Sequence, residues 1–205
     1  MLDIRTNKAD RSCPIARNGS LMAASKPLIE PWTMDEFLEW ERRQPERYEY
    51  VSGVVRMMTG GMFAHTQIRD NVVAALRQRL KGGPCRALGE GMKVTTETVS
   101  AYPDAYVVGG PIEPRRDVAP PPFVIVEVLS RSTQDFDRGS KWLAYQTISE
   151  LRYYVLISQN ERRVDLFARA ERGWNLLTLG AEDSLDLPDL HVSLPITEIH
   201  EDSGV

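Results

Sequence analysis

Apolar positions change their period several times along the chain, and each change marks an element. Within "TMDEFLEWERR", Met34, Phe37, Leu38 and Glu41 follow helical spacing, and Thr33 with Glu36 forms a capping box, so a short amphipathic helix is predicted. "RYEYVSGVVRMM" then turns to β-branched and aromatic residues around Ser52-Gly53, the two-residue connection of a hairpin, with Glu49 on its first strand. From Phe63 to about Lys81, Ile68, Val72, Val73, Leu76 and Leu80 recur every three or four residues, with Arg69, Arg77 and Arg79 largely off that stripe. This predicts the chain's main helix, stopped by "KGG".

Beyond Pro84 the period shortens. "CRAL", "MKVTTETV" and "YPDAYVV" read as short strands, followed by an exposed Pro-rich connection from Pro111 to Pro122. "FVIVEVL" is a strand with a continuous apolar run, and a helix follows from Asp135 or Asp137 to Ile148, weakened in its first turn by Gly139. "LRYYVLIS", "RRVDLFA" and "WNLLTL" are three further strands, the first two joined by "QNER". Residues 1–26 lack either period and are expected to be a mobile leader, with a single domain over 27–200 and a tail over 201–205.

Composition narrows the class. A chain of 205 residues, 42% hydrophobic and 26% charged, suits one globular domain. Its net charge of −4 gives no global field for nucleic acid, so any contact with phosphate needs a local basic face. Cys13 and Cys85 are the only cysteines and have no CxxC spacing, which speaks for a reduced, cytoplasmic compartment and against a zinc site. No apolar stretch is long enough to cross a bilayer.

The chemistry centres on "FVIVEVLS". An unpaired carboxylate inside an apolar strand costs several kcal/mol, so Glu127 needs a proton, a cationic partner or a metal. Asp104, after Pro103, opens another apolar strand. Two such carboxylates brought together repel unless a divalent cation lies between them, and a hard ion such as Mg²⁺ favours that set, with Mn²⁺ as an alternative. Lys141, on the helix after Glu127, shares a face with Ala144, Tyr145 and Ile148 and needs a negative partner if that face is inward.

"YPD" at 102–104, "VEVLS" at 126–130 and Lys141 followed by Tyr145 resemble the PD-(D/E)XK, or restriction-endonuclease-like, nuclease superfamily, and within it the Uma-type endonucleases. "YEYVSGVV", the helix opening with His65 and "ISELRYYVLIS" follow the same order, so the resemblance covers about residues 33–198. It implies an α/β fold with a central mixed sheet flanked by helices and additional C-terminal strands. It also implies metal binding by Asp104 and Glu127, assistance to the attacking water by Lys141, a further upstream acid in Glu49, and a supporting role for His65. The simple signature has lysine two residues after the second acid, where this chain has Leu129, and the Uma-type resemblance implies that the lysine has moved to Lys141.

The implied activity is Mg²⁺-dependent hydrolysis of DNA phosphodiester bonds, with DNA as partner. Homodimerisation fits the cutting of two strands, although no stretch marks an interface. The alternative is a nuclease-like module that binds nucleic acid or protein without cutting. Blander readings of single residues stay open here: Asp104 as a turn residue, Glu127 on an edge strand, Lys141 paired with Asp137 on a solvated helix surface, Glu49 paired with Arg56 across the hairpin, and His65 as a core or capping histidine.

Overall fold

The computed structural model describes residues 31–58, 60–130 and 134–205; the expected leader, 1–26, and Cys13 lie outside the described residues. In chain order come α1 (Met34–Glu41), the hairpin β1 (Tyr48–Val51) and β2 (Val54–Met57), α2 (Phe63–Arg79), β3 (Cys85–Gly89), β4 (Val94–Thr95), β5 (Val99–Ala101), β6 (Ala105–Gly109) and β7 (Pro122–Leu129). A broken helical segment follows: α3 (Gln134–Phe136), a π-helical turn (Asp137–Lys141) and α4 (Trp142–Tyr145). The chain ends with β8 (Tyr153–Ser158), β9 (Val164–Arg169), β10 (Trp174–Leu179), β11 (Ser184–Leu187), β12 (Val192–Pro195) and α5 (Ile196–Ile199).

A six-stranded mixed sheet, ordered β10-β9-β8-β7-β6-β3, forms the centre, and β7·β8 is its parallel pair. A four-stranded sheet, β2-β1-β5-β4, lies beside it in the chain's first half. The alternation on β7 divides the core. Val124, Val126 and Val128 pack with Ile68, Val72 and Leu76 of α2. Ile125 and Leu129, on the other face, pack with Ala144 and Tyr145 of α4. That second face also carries Glu127, in register with Leu156 of β8. Because β7 lies between β6 and β8, Glu127 is not on an edge strand.

Local chemistry explains the boundaries. Thr33 and Glu36 make both halves of the capping box that starts α1. Ser52 and Gly53 both take positive φ, 48° and 89°, as the tight turn between β1 and β2 requires. The sequence stretch "MKVTTETV", expected as one strand, is instead a hairpin. The Thr96 hydroxyl accepts from the backbone N–H groups of Thr98 and Val99, turning the chain so that Val94 pairs with Ala101. The helix expected up to Ile148 is interrupted by the π-helical turn, which contains Gly139. The residues after α5 pack against the domain: Ser203 is buried and donates to the carbonyl of His200, and Arg162 donates to the carbonyl of Val205. Among the described residues, no helix is long and apolar enough to cross a membrane.

Two stability predictions follow from these contacts. A Cβ on Gly53 would lie 2.8 Å from Cβ of Pro31 at a positive φ, so Gly53→Ala should lower unfolding stability in urea by about 1–2 kcal/mol. Burial pushes the carboxyl of Asp165 on β9 up, but the Thr178 hydroxyl, Arg138 and Arg163 outweigh it and hold that carboxyl below the usual aspartate range. Its stabilising contribution is therefore complete above the ordinary value of about 4 and lost as pH falls through the lower folded value, a dependence that Asp165→Asn should remove from acid-range urea titrations.

Candidate active site

Three elements from separate parts of the chain deliver charge to one buried point. Glu49 comes from β1, Glu127 from the middle of β7, and Asp137 with Lys141 from the two ends of the π-helical turn. The Lys141 Nζ lies 2.9 Å from Glu49 Oε1, 3.2 Å from Asp137 Oδ1 and 3.3 Å from Glu127 Oε1. All four residues are buried, with Lys141 only 3% exposed. The Tyr145 hydroxyl donates to Glu127 Oε1 at 3.4 Å, and the Tyr102 backbone N–H donates to Glu49 Oε1 at 3.3 Å.

Asp104 and His65 form a second pair beside this group. Asp104 precedes β6, one residue before the Ala105↔Val126 pairing, and so stands opposite Glu127. Its Oδ2 accepts from the backbone N–H of Val128 at 2.7 Å and lies 3.4 Å from His65 Nε2, in the first turn of α2. The loop before α2 closes against the ring: a Cβ on Gly61 would meet His65 Nδ1 at 3.0 Å.

The electrostatics are dominated by burial. Burial pushes Glu127 well above the usual carboxylate range; Lys141 opposes this, while Asp137, Asp104 and Glu49 add to it. For Lys141 burial acts downward, but Glu127, Glu49 and Asp137 together outweigh it, so the ammonium is held well above its ordinary range. Burial also lowers His65, and the hydrogen bond and charge of Asp104 more than reverse this, leaving the imidazole raised.

Glu49 is in register with Arg56, yet its carboxylate goes to Lys141, and the Arg56 guanidinium instead lies 4.2 Å from the Phe136 ring centroid. The Lys141–Asp137 pair exists, but in the interior rather than on a solvated surface. Asp137 is the member of the cluster that sequence reasoning left out of the site. Its signal was its spacing four residues before Lys141 on a face that packs inward. Tyr145 and Tyr154 are fully buried, and Tyr145 in addition touches Glu127.

In kind, the donor set fits a hard divalent ion. Asp104, Glu127, Glu49 and Asp137 supply oxygen ligands, and one ammonium cannot balance them. Asp137 Oδ1 is buried, and its partner among the described residues is the Lys141 ammonium, 3.2 Å away. In position, the set is centred on the Lys141 ammonium. Among the described residues, no three His, Cys, Asp or Glu side chains converge on one metal-sized point.

A mixed sheet with acids on its central strands and a lysine on the crossing helix is the arrangement of the restriction-endonuclease-like class. The chain belongs to the Uma2 family, described as "putative restriction endonuclease", which it matches over residues 34–197. It is 31% identical to an uncharacterized protein of Synechocystis sp. over 182 residues, covering 87% of this chain and 94% of the relative. A second uncharacterized protein of that organism is 27% identical over 160 residues, 74% of this chain and 89% of the relative. Among solved structures, a "putative nuclease belonging to DUF820" from Anabaena variabilis shares the fold, with a TM-score of 0.68 at 21% identity over 83% of this chain and 98% of the other. Membership makes this a protein of nuclease type.

The charge balance predicts a measurable asymmetry. Lys141→Met leaves the buried acids Glu49, Glu127 and Asp137 without their cation and should cost about 3–5 kcal/mol of unfolding stability in metal-free buffer at neutral pH. Adding Asp137→Asn to that variant removes one of the stranded charges and should recover part of the loss in the same urea titration.

Proposed function

We propose that the protein is a metal-dependent endonuclease that hydrolyses DNA phosphodiester bonds, with Mg²⁺ or Mn²⁺ bound by Asp104 and Glu127. The observation that carries this reading is the excess of buried carboxylate around Lys141, on the strands and crossing helix where the family resemblance sets acid, acid and lysine. The resemblance alone would permit an eroded site. Here the side chains are present: Glu127 and Lys141 share one buried cluster, and Asp104, partly buried, stands beside it.

A divalent cation at these acids supplies polarisation of the phosphate and a lowered pKa for bound water. The chain's own groups do the rest. Lys141 carries a fixed positive charge that offsets charge building on the phosphate oxygens as water adds to phosphorus and the P–O bond to the departing sugar oxygen breaks. Glu49 and Asp137 hold that ammonium in position, and Glu127 is the carboxylate it shares with the cation. His65 fixes Asp104 Oδ2 from one side and the Val128 N–H fixes it from the other, so that acid is oriented before substrate arrives. A π-helical turn at the lysine fits this use, since such turns recur at functional sites.

A second reading, binding without cleavage, is favoured by the lack of a converged metal-ligand triad among the described residues. Plasmid nicking separates the two. With Mg²⁺ or Mn²⁺ the wild-type protein should cleave supercoiled DNA, and Asp104→Ala and Glu127→Ala, checked for folding by circular dichroism, should lose at least about a hundredfold in rate, in line with loss of transition-state charge stabilisation. Calorimetry should show Mn²⁺ binding to wild type and not to Glu127→Ala. Equal cleavage by wild type and both variants would refute the assignment, and no turnover with either ion would leave the binding module standing.

A further inference from the structure

A negatively charged protein that handles DNA needs a place where positive charge is left unneutralised and gathered on one surface. On α2, Arg69 pairs with Asp70 and Glu90, and Arg79 pairs with Glu198. Unpaired cations gather instead in a groove of about 680 Å³ at the end of that helix, where the central sheet terminates at β3. Arg77, Lys81 and Arg86 line it over an apolar floor that includes Leu80, Leu88 and Ile112, and no Asp or Glu is among its lining residues. Among the described residues none of the three cations makes an ion pair. Arg77 donates to the carbonyl of Ala87, and Arg86 to the carbonyls of Gly83 and Cys85, so both guanidiniums are held by neutral groups and keep their full charge.

We propose that this groove is a docking surface for the phosphate backbone of DNA engaged at the candidate active site, a proposal that rests on the DNA-cleaving reading above. Three features favour a polyanion over other occupants. The whole chain carries −4, yet this groove carries three uncompensated positive charges, all exposed. The C-terminus of α2 offsets them by only about half a charge. Gly82 and Gly110 border the groove with open space where a Cβ would stand, which lets a phosphate approach the backbone. The reach also fits. Arg77 lies twelve residues along α2 from His65, about 18 Å at the helical rise, which a duplex covers in roughly five base pairs.

The test is anisotropy of a fluorescent duplex of about thirty base pairs, without divalent ions, over 50–200 mM salt, for wild type and the triple variant Arg77→Ala/Lys81→Ala/Arg86→Ala. Removing three phosphate contacts should flatten the slope of log affinity against log salt by about 2.7, so that wild type loses about fortyfold more affinity than the variant across that range. The double variant Lys81→Ala/Arg86→Ala, which keeps the Arg77–Ala87 contact, guards against misfolding and should show about two-thirds of the change. Arg115→Ala/Arg162→Ala, which removes two exposed charges that do not line the groove, should leave the slope unchanged. Wild type and triple variant binding with one slope would overturn the groove while leaving the cleavage reading intact. A wild type that binds no DNA would overturn both. A triple variant that alters sedimentation from dimer to monomer with DNA affinity unchanged would make the groove a self-association surface and likewise overturn the proposal.

Discussion

The ammonium of Lys141, enclosed by the carboxylates of Glu49, Glu127 and Asp137, is the contact on which the rest of the molecule depends. Each of these groups alone would be costly to bury, and together they still leave an excess of negative charge. The shared ammonium links the two sheets, because Glu49 belongs to the four-stranded sheet and Glu127 to the six-stranded one. The excess also sets the chemical character of the interior: a concentrated anionic field, screened by protein rather than water, that favours a further cation.

Topology explains why the lysine meets the acids. Strands β7 and β8 run parallel, and a parallel pair needs a crossover of a dozen or more residues. Lys141 falls midway along that crossover, twelve residues after Leu129 and twelve before Tyr153. The crossover must lie over one face of the sheet, and the alternation on β7 puts Glu127 on that face, with Ile125 and Leu129 as its apolar neighbours. A lysine displaced from the strand to the helix therefore reaches the same carboxylate from above. The stacking of Trp142 on Tyr154, with ring centroids 5.2 Å apart and ring planes nearly parallel, holds the crossover at its height.

What could be read from sequence follows the range over which each signal acts. The stripe on α2, the Ser52-Gly53 turn and the capping box at Thr33 are local, and all form where the pattern sets them. Glu127 was legible because a carboxylate in an apolar strand is anomalous wherever that strand ends up. The destination of Glu49 was not. Arg56 is its neighbour in the ladder, while its true partner lies ninety-two residues away, and only the tertiary fold chooses between them. The π-helical turn and the hairpin within "MKVTTETV" escaped because both are decided by hydrogen bonds of one or two groups against an unremarkable pattern. Arg77 was seen only as lying off an apolar stripe. Its company in the groove comes from β3, and no periodicity records that.

The π-helical turn has one more consequence. Such a turn accommodates more residues per rotation than an α-helix, so it alters the rotational phase of everything downstream. In a plain α-helix one residue is worth about 100° of rotation, enough to swing an ammonium from a buried carboxylate out to water. The spatial address of Lys141 is thus encoded in a count, not in a composition: a chain one residue shorter between Asp137 and Lys141 would hold nearly the same amino acids and present a different side chain to Glu127.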